Sequence, residues 1–420
     1  MGSGFYLVMA AQFFSALADN ALLIAAIAIL MQLGAPAEQV PLLKFFFTIS
    51  YVVLAAFVGA FADAMPKARV MLISNTIKLA GCALMFVDVH PLAAYAVVGL
   101  GAAAYSPAKY GILTEMLPAR KLVIANGWIE GLTVTAIILG TLLGGALIRP
   151  DLAARFLHLD IAAIGPLFDR ATDFSIFVIG LLYLLAAGFN LRIPDTGVDH
   201  KPLKRNPLYL IHEFSHCVTL LWRDKLGQIS LAVTTLFWGA GATLQFIVLD
   251  WAASNLGLKL SEATSLQGVV AIGVALGSVL AARFISLRRS PAVIPLGIAM
   301  GIGINVMVFV HQIPAAMLLM ILVGALAGFF VVPMNALLQH RGHVLMGAGH
   351  SIAVQNFNEN LSILVMTGLY SLLIMSGLSV NIVIVMFGLF VAASMWLVRR
   401  RHLANQREFD STSLLEDHTH

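Results

Sequence analysis

The chain has 420 residues, of which 60% are hydrophobic and only 11% are charged. A soluble globular protein carries about 25% charged residues, so this composition excludes a soluble domain and indicates a polytopic membrane protein. The formal net charge of +4 would also suit a nucleic-acid partner, but the placement of the basic residues, given below, argues against one.

Twelve apolar runs, each near the roughly 20 residues that a transmembrane helix needs, predict an all-α membrane protein. The connection at 194–225 divides the chain into six-helix bundles at 1–193 and 226–398, followed by a tail at 399–420. Part of this linker, about 207–222, is predicted as an amphipathic surface helix. The predicted spans are 5–32, 42–62, 69–88, 92–113, 122–148, 173–193, 226–250, 264–286, 292–310, 315–338, 347–375 and 380–398.

Basic residues predict the orientation of these spans. Of the 25 Lys and Arg residues, 18 fall on the side that holds both termini and five on the other side. The remaining two, Lys78 and Lys109, lie within spans. Because cytoplasmic loops are enriched in Lys and Arg, both termini are predicted to be cytoplasmic. This placement accounts for the basic charge without nucleic acid.

The first span carries Asp19 and Asn20 in the middle of its apolar run. A charged side chain at mid-membrane costs roughly 3 kcal/mol on insertion scales, so it is retained where it is paired, hydrated or functional. We therefore predict that Asp19 lies on a transport pathway. The alternative is a permanent structural ion pair with a buried lysine.

A second signal lies between the second and third spans. Gly59, then Asp63, then Lys67 and Arg69 have the spacing typical of a loop motif of the major facilitator superfamily, although Pro66 stands where that motif has Gly. A carboxylate here can cap a helix or pair with basic residues at neighbouring helix ends. The predicted cytoplasmic gate comprises Asp63, Lys67, Arg69, Arg120 and Lys121.

The two halves of the chain repeat a pattern of polar residues. The fourth and tenth spans each contain a proline, Pro107 and Pro333, and the fifth and eleventh each carry an amide and a glutamate four residues apart. That spacing puts both polar groups on one helix face. The offset of 226 to 229 residues indicates two parallel six-helix repeats, the relation found between major facilitator halves. The polar residues are Asn126 and Glu130, then Gln355 and Glu359, with Asn356 and Asn360 one position further on.

Five strings, at 11–23, 101–113, 236–244, 328–339 and 353–360, resemble one family, the bacterial lysophospholipid transporter (LplT) family of the major facilitator superfamily. The resemblance implies movement of lysophospholipids, chiefly lysophosphatidylethanolamine, from the outer to the inner leaflet of the bacterial inner membrane by alternating access. It also implies a separate acyltransferase on the cytoplasmic side, since the chain ends soon after its twelfth span. We expect a monomer in contact with membrane lipid.

One position departs from that family, whose members carry Arg where this chain has Gln245. Gln245 cannot neutralise Asp19 or hold a phosphate, so either Lys109 or Lys78 takes the phosphate or the charge balance of the cavity differs. The sequence leaves open whether Asp19 is neutralised by Lys109, by a proton, by Na⁺ or by the ammonium of the substrate. Coupling to Na⁺ or H⁺ through Asp19 or Glu359 is possible, but downhill flipping needs no coupled ion; no other cofactor is predicted.

The candidate substrate or ion contacts each have a structural alternative. Lys109 can snorkel to the membrane surface, Lys78 can be a helix-face residue, and the glutamates and amides can be interhelical hydrogen-bond partners. The candidates are Asp19, Asn20, Lys109, Asn126, Glu130, Gln245, Gln355, Asn356, Glu359 and Asn360.

Two other classes of function remain open. An H⁺-coupled exporter of amphipathic drugs or cations would also place carboxylates in an apolar cavity, although Lys109 disfavours cations. A membrane enzyme acting on lipids is disfavoured because the sequence has no His-x4-Asp motif, nucleophile elbow or metal-ligand cluster. We therefore predict a transporter with no catalytic residues and no metal site.

Overall fold

The computed structural model describes residues 2–35, 39–148, 171–200, 206–258 and 260–409, with 202, 204 and 415 as single positions. Most of the predicted connection at 149–172, and residues 410–414 and 416–420 of the tail, lie outside the described residues. In the described ranges the regular secondary structure is helical. The helices are α1 (Ser3–Gln32), α2 (Gln39–Val53), α3 (Ala55–Asp63), α4 (Lys67–Phe86), α5 (Pro91–Met116), α6 (Leu122–Leu147), α7 (Ala171–Asn190), α8 (Pro207–Arg223), α9 (Gly227–Leu256), α10 (Leu260–Phe284), α11 (Ile294–Val306), α12 (Ile313–Met346), α13 (Ala348–Met375) and α14 (Val380–Glu408).

Each of the twelve predicted spans overlaps a helix. Ten helices of the described chain are long and apolar enough to cross a membrane, and the α2–α3 pair makes eleven if it is one bent span. The remaining predicted span, at 92–113, corresponds to α5, which has 26 residues and is not among these helices. The chain is thus a multi-pass membrane protein.

The prediction of one continuous helix at 42–62 is wrong. The helix breaks at Leu54, and α2 and α3 meet at a bend of 63°. Neither Gly nor Pro stands at the break. One turn earlier, the hydroxyl of Ser50 donates to the carbonyl of Phe46 at 3.1 Å, a contact that bends helices.

Helix α8 lies where the amphipathic linker helix is predicted. It buries Leu210, Phe214, Cys217 and Leu221, which recur at the spacing of one helix face. Leu208 and Trp222 on the same helix are exposed, as expected for a helix at a membrane surface.

Close contacts group the chain into two compact units. The first takes residues up to Met116, Thr135–Phe214 and Ala348–Ala353, and the second takes Leu117–Val134, Ser215–Gly347 and the chain from Val354. The start of α6 therefore groups with the second unit, and the first turns of α13 group with the first. The domain boundaries predicted from the repeat, at 193 and 226, stay a prediction.

The packing order supports the repeat. In the first unit α1 packs on α7, α2 on α5, α4 on α5 and α4 on α7. In the second unit the corresponding pairs are α9 on α14, α10 on α12, α11 on α12 and α11 on α14. The helices that carry Pro107 and Pro333 occupy equivalent places, as the sequence pattern predicts.

Candidate functional site

Asp19 lies in a buried ion pair inside the first unit. Its Oδ2 atom is 2.7 Å from the Nζ atom of Lys78, and the hydroxyl of Tyr183 donates to its Oδ1 atom, also at 2.7 Å. The side chain of Lys78 is 2% exposed and that of Asp19 is 16% exposed. Both carboxylate oxygens therefore have a partner from another helix, α4 for Lys78 and α7 for Tyr183.

The ammonium of Lys78 has further partners on α1 and α5. It donates to the hydroxyl of Ser15 at 3.0 Å, and it lies 4.8 Å from the centre of the Tyr105 ring. Ser15 in turn donates to the Oδ1 atom of Asn75 at 2.7 Å. A Cβ atom on Gly101 would lie 2.7 Å from the Cγ atom of Lys78, so a glycine is needed where α5 passes this side chain.

Two polar atoms beside this pair are buried without a hydrogen-bond partner among the described residues. They are the hydroxyl of Tyr105 and the Nδ2 atom of Asn75. Unsatisfied buried polar groups cost free energy, so two of them beside one ion pair call for an explanation. Both groups can donate a hydrogen bond to an anionic oxygen.

Asp19 pairs in the structure with Lys78, a lysine inside a predicted span. Lys78 is buried and pairs with Asp19, whereas the half-buried Lys109 has its ammonium 4.2 Å from the centre of the Tyr110 ring. Asn20 donates to the carbonyl of Ala16 at 2.8 Å, within its own helix. A lysine inside a predicted span is the same kind of signal as an aspartate there, and it marks Lys78 as well as Lys109 as a possible partner of Asp19.

The second unit contains a separate polar network between α6 and α12. Asn126 and Gln339 exchange two hydrogen bonds of 2.9 Å through their side-chain amides. One turn away, Asn335 donates to the Oε1 atom of Glu130 at 3.3 Å. Asn335 and Gln339 were not candidates, although their i,i+4 spacing in an apolar run is the signal that selected Asn126 and Glu130.

Helix α13 extends this network. The Nε2 atom of Gln355 donates to the Oδ1 atom of Asn335 at 3.1 Å and to the Oε1 atom of Glu359 at 2.8 Å. Glu130 is 4% exposed, Gln355 is 3% exposed and Glu359 is 6% exposed. Three predicted site residues, Glu130, Gln355 and Glu359, thus belong to one hydrogen-bonded chain through Asn335, and the Asn126–Gln339 pair lies one turn away.

The other candidates of the second unit lie beside or outside that network. Asn356 is buried, and Asn360 donates to its carbonyl at 2.8 Å. Gln245 has an exposed side chain, and its backbone carbonyl accepts a hydrogen bond from Gln267 at 3.0 Å. The assignment of all these residues to substrate or ion stays a prediction.

Asp63 caps a helix in the first unit. Its carboxylate accepts hydrogen bonds from the backbone N–H groups of Gly349 at 2.7 Å and His350 at 3.0 Å, in the first turn of α13. An anion is stabilised at a helix N-terminus. The Nδ1 atom of His350 also lies 2.6 Å from Asp63 Oδ2, and Lys67 donates to Oδ1 at 2.9 Å.

The other predicted gate residues divide into two groups. Lys67 is buried, and besides Asp63 it pairs with Glu115 at 3.3 Å. Arg69 and Arg120 are exposed, and Lys121 is half-buried. Glu115 and His350 therefore join the cluster without having been predicted, while the gate role of the whole set stays a prediction.

A family model described as the Major Facilitator Superfamily matches residues 8–367. The chain belongs to the major facilitator superfamily. Within that superfamily it belongs to the family of the relatives named Lysophospholipid transporter LplT. The relative from Yersinia enterocolitica is 41% identical over 381 residues, which cover 90% of this chain and 89% of the relative. The relative from Yersinia pestis strain Pestoides F is 42% identical over 371 residues, covering 88% and 86%.

Solved major facilitator structures share the fold. The E. coli fucose:proton symporter FucP superposes with a TM-score of 0.71 at 13% identity, covering 95% of this chain and 98% of the symporter. A bacterial homologue of the iron transporter ferroportin, in an outward-facing state, gives 0.72 at 13% identity, covering 97% and 100%. The predicted family is confirmed by the family model and the LplT relatives, and the predicted fold class also by these structures.

Proposed function

We propose that this chain flips lysophospholipids, chiefly lysophosphatidylethanolamine, from the outer to the inner leaflet of a bacterial inner membrane by alternating access. The observation that carries the proposal is the 42% identity, over 88% of the chain, to relatives named lysophospholipid transporter. Both termini would be cytoplasmic, the protein would act as a monomer, and a separate acyltransferase would consume the delivered lipid. The chain itself would leave the lipid chemically unchanged.

The Asp19–Lys78 pair supports a zwitterionic headgroup as the cargo. Phosphoethanolamine carries one phosphate and one ammonium, and the pair offers one ammonium and one carboxylate 2.7 Å apart. A buried charge that loses its partner is strongly destabilised, by about 3–5 kcal/mol. A headgroup that brings both complementary charges would let Lys78 and Asp19 separate while each keeps a counter-charge.

The open polar atoms beside Lys78 support the same orientation. The buried hydroxyl of Tyr105 and the Nδ2 atom of Asn75 can donate to phosphate oxygens next to the Lys78 ammonium. The phosphate would then lie at Lys78 and the ammonium at Asp19. Lys109 would attract the phosphate on its way to this site.

Leaflet assays in proteoliposomes test the proposal. Fluorescent lysophosphatidylethanolamine should move to the inner leaflet, measured as the fraction that albumin can no longer extract from the vesicles. Mass spectrometry should show that the lipid is chemically unchanged. Lys78→Met should abolish movement, whereas Glu408→Gln, which alters an exposed surface pair with Lys225, should leave it intact. Unaltered movement in Lys78→Met would reject this headgroup site.

The same assay separates the alternative functions. An amphipathic cation without phosphate, such as a dodecyltrimethylammonium probe, should not be transported. Efflux of that cation with no movement of lysophospholipid would instead establish a cation exporter. Conversion of the lipid by the purified protein would establish an enzyme.

A further inference from the structure

A carboxylate on α9 lies against an aromatic ring of α13 inside the second unit. The hydroxyl of Tyr370 donates a hydrogen bond to the Oδ2 atom of Asp250, and both residues belong to that unit. Asp250 is exposed, and its Oδ1 atom accepts no hydrogen bond from any described residue. Within the described ranges this carboxylate therefore has a neutral partner and no counter-charge.

The ring of Phe246 extends the aromatic surface beside the carboxylate. Phe246 precedes Asp250 by four residues, a spacing that puts both side chains on one face of α9. Its ring centre is 6.3 Å from that of Tyr370, and the two ring planes differ by 23°. Phe246 is 46% exposed, whereas Tyr370 is 8% exposed. The carboxylate thus stands beside two nearly parallel rings, of which one is open to an incoming group.

These groups suit an ammonium ion as their ligand. A cation is attracted to the face of an aromatic ring within about 6 Å of its centre, and a carboxylate supplies the opposite charge and a hydrogen-bond acceptor. A phosphate would be repelled by Asp250. A divalent metal ion needs about six oxygen ligands, which one carboxylate does not supply. The arrangement therefore favours the ammonium end of a zwitterionic headgroup.

Asp250 lies inside α9 and not at its tip. It stands six positions before Leu256, the last residue of the helix, which corresponds to about 9 Å along the helix axis. The orientation predicted from the basic residues puts this end of α9 on the outer side of the membrane. A lysophospholipid that enters from the outer leaflet would meet Asp250 near the start of its path.

We propose that Asp250, Phe246 and Tyr370 form a capture site for the primary ammonium of a lysophosphatidylethanolamine headgroup. The Oδ1 atom of Asp250 accepts a hydrogen bond from the ammonium, the ring of Phe246 covers it, and the hydroxyl of Tyr370 orients the carboxylate. The inference rests on the proposed function and adds a headgroup preference to it. The site selects the ethanolamine lipid over lysophosphatidylglycerol, which has no ammonium, before the lipid reaches Asp19 and Lys78.

Transport of two lipids that differ only in the headgroup tests the site. Fluorescent lysophosphatidylethanolamine and lysophosphatidylglycerol, both below saturation, are compared in proteoliposomes by albumin extraction. Asp250→Asn removes the charge but keeps the size of the side chain and an oxygen that accepts from Tyr370. Because a charge-assisted hydrogen bond is lost, we expect it to slow the ethanolamine lipid roughly tenfold and to leave the glycerol lipid unchanged.

Two further variants separate the site from general effects of charge. Asp88→Asn is the matched control, because it removes an exposed carboxylate that is predicted to lie on the same side of the membrane. Asp88 has a backbone φ of 61°, which asparagine tolerates, so the ratio of the two rates should be unchanged. Phe246→Leu removes the open ring and should lower that ratio by about two- to fivefold. If Asp250→Asn does not fold, Phe246→Leu, which leaves the pair with Tyr370 intact, gives the test.

The Tm of the purified full-length protein in detergent is a second readout that needs no lipid movement. The ethanolamine lipid should raise Tm more than the glycerol lipid does, and Asp250→Asn should lose this difference. No lipid movement by the unmodified protein would reject the proposed function, and the comparison of Tm values would then decide the capture site alone.

Three results would overturn the capture site. In the first, Asp250→Asn keeps both the ratio of rates and the difference in Tm, which leaves the proposed function standing. In the second, the variant slows both lipids equally, as loss of a purely structural contact between α9 and α13 would. In the third, a dodecyltrimethylammonium probe raises Tm and neither lipid does, which would assign the site to a free amphipathic cation.

Discussion

Lys78 Nζ lies 2.7 Å from Asp19 Oδ2, between helices α4 and α1, in a region where the lysine side chain is 2% exposed. Asp19 therefore has a counter-charge even though position 245 carries glutamine and not arginine. The cation comes from the same unit as the carboxylate. If the two charges separate, each needs a new counter-charge in place of the other.

Asp19→Asn and Lys78→Met should each destabilise the protein by about 3–5 kcal/mol, because each leaves one buried charge without its partner. The double variant should be more stable than the sum of the two losses predicts, since it removes both charges together. Chemical unfolding in detergent micelles gives the double-mutant cycle. Additive effects of the two substitutions would show that the charges do not interact.

Gly101→Ala should disturb Lys78 without changing any charge. The added Cβ atom would lie 2.7 Å from Lys78 Cγ and 2.8 Å from the carbonyl oxygen of Ser74, so α4 or the lysine must shift. Overpacking of this kind costs about 1–3 kcal/mol. Flipping and Tm should both fall.

Gly188→Ala is the matched control for that substitution. A Cβ atom there meets nothing within 4 Å, and alanine favours a helix over glycine by about 1 kcal/mol. Its Tm should be unchanged or higher. Equal behaviour of the two alanine variants would mean that the contact with Lys78 has no consequence.

Local spacing predicted much of the fold and part of the candidate site. Apolar runs located the spans, and the i,i+4 rule put Gln355 and Glu359 on one face, where they do hydrogen-bond. The bend at Leu54 had no such signal, because neither Gly nor Pro marks it.

Long-range pairing was the part that sequence could not supply. Asp19 and Lys78 are 59 positions apart, and His350 and Asp63 are 287 apart. Such contacts depend on which helices pack together and at what depth. With Lys78 and Lys109 both inside spans, helix periodicity alone could not choose between them.

Asn126→Leu should cost more than the loss of one hydrogen bond. It leaves both the oxygen and the nitrogen of the Gln339 amide unpaired in a buried position, at about 1–3 kcal/mol for each buried group. The double variant Asn126→Leu/Gln339→Leu removes both amides and should recover most of the stability. The Tm in detergent of the unmodified protein, the single variant and the double variant gives the comparison. A double variant no more stable than Asn126→Leu would contradict reciprocal pairing of the two amides.

Asp63→Asn should destabilise the first unit and impair flipping. The carboxylate receives donors from Gly349, His350 and Lys67, and an amide cannot accept them all or balance the lysine charge. Breaking a buried ion pair costs about 3–5 kcal/mol in stability. Lys67 would still pair with Glu115 at 3.3 Å, so we expect a loss near the lower end of that range. Denaturant unfolding and leaflet assays on the same preparations measure the two effects.

Arg69→Gln is the matched control for Asp63→Asn, because Arg69 belongs to the same sequence motif but is exposed. Exposed substitutions of this kind usually change stability by no more than about 0.5 kcal/mol. Adding Lys67→Met to Asp63→Asn should restore part of the loss by removing the lysine charge. If Arg69→Gln destabilises the protein as much as Asp63→Asn does, the motif acts through its basic residues and not through the capping carboxylate.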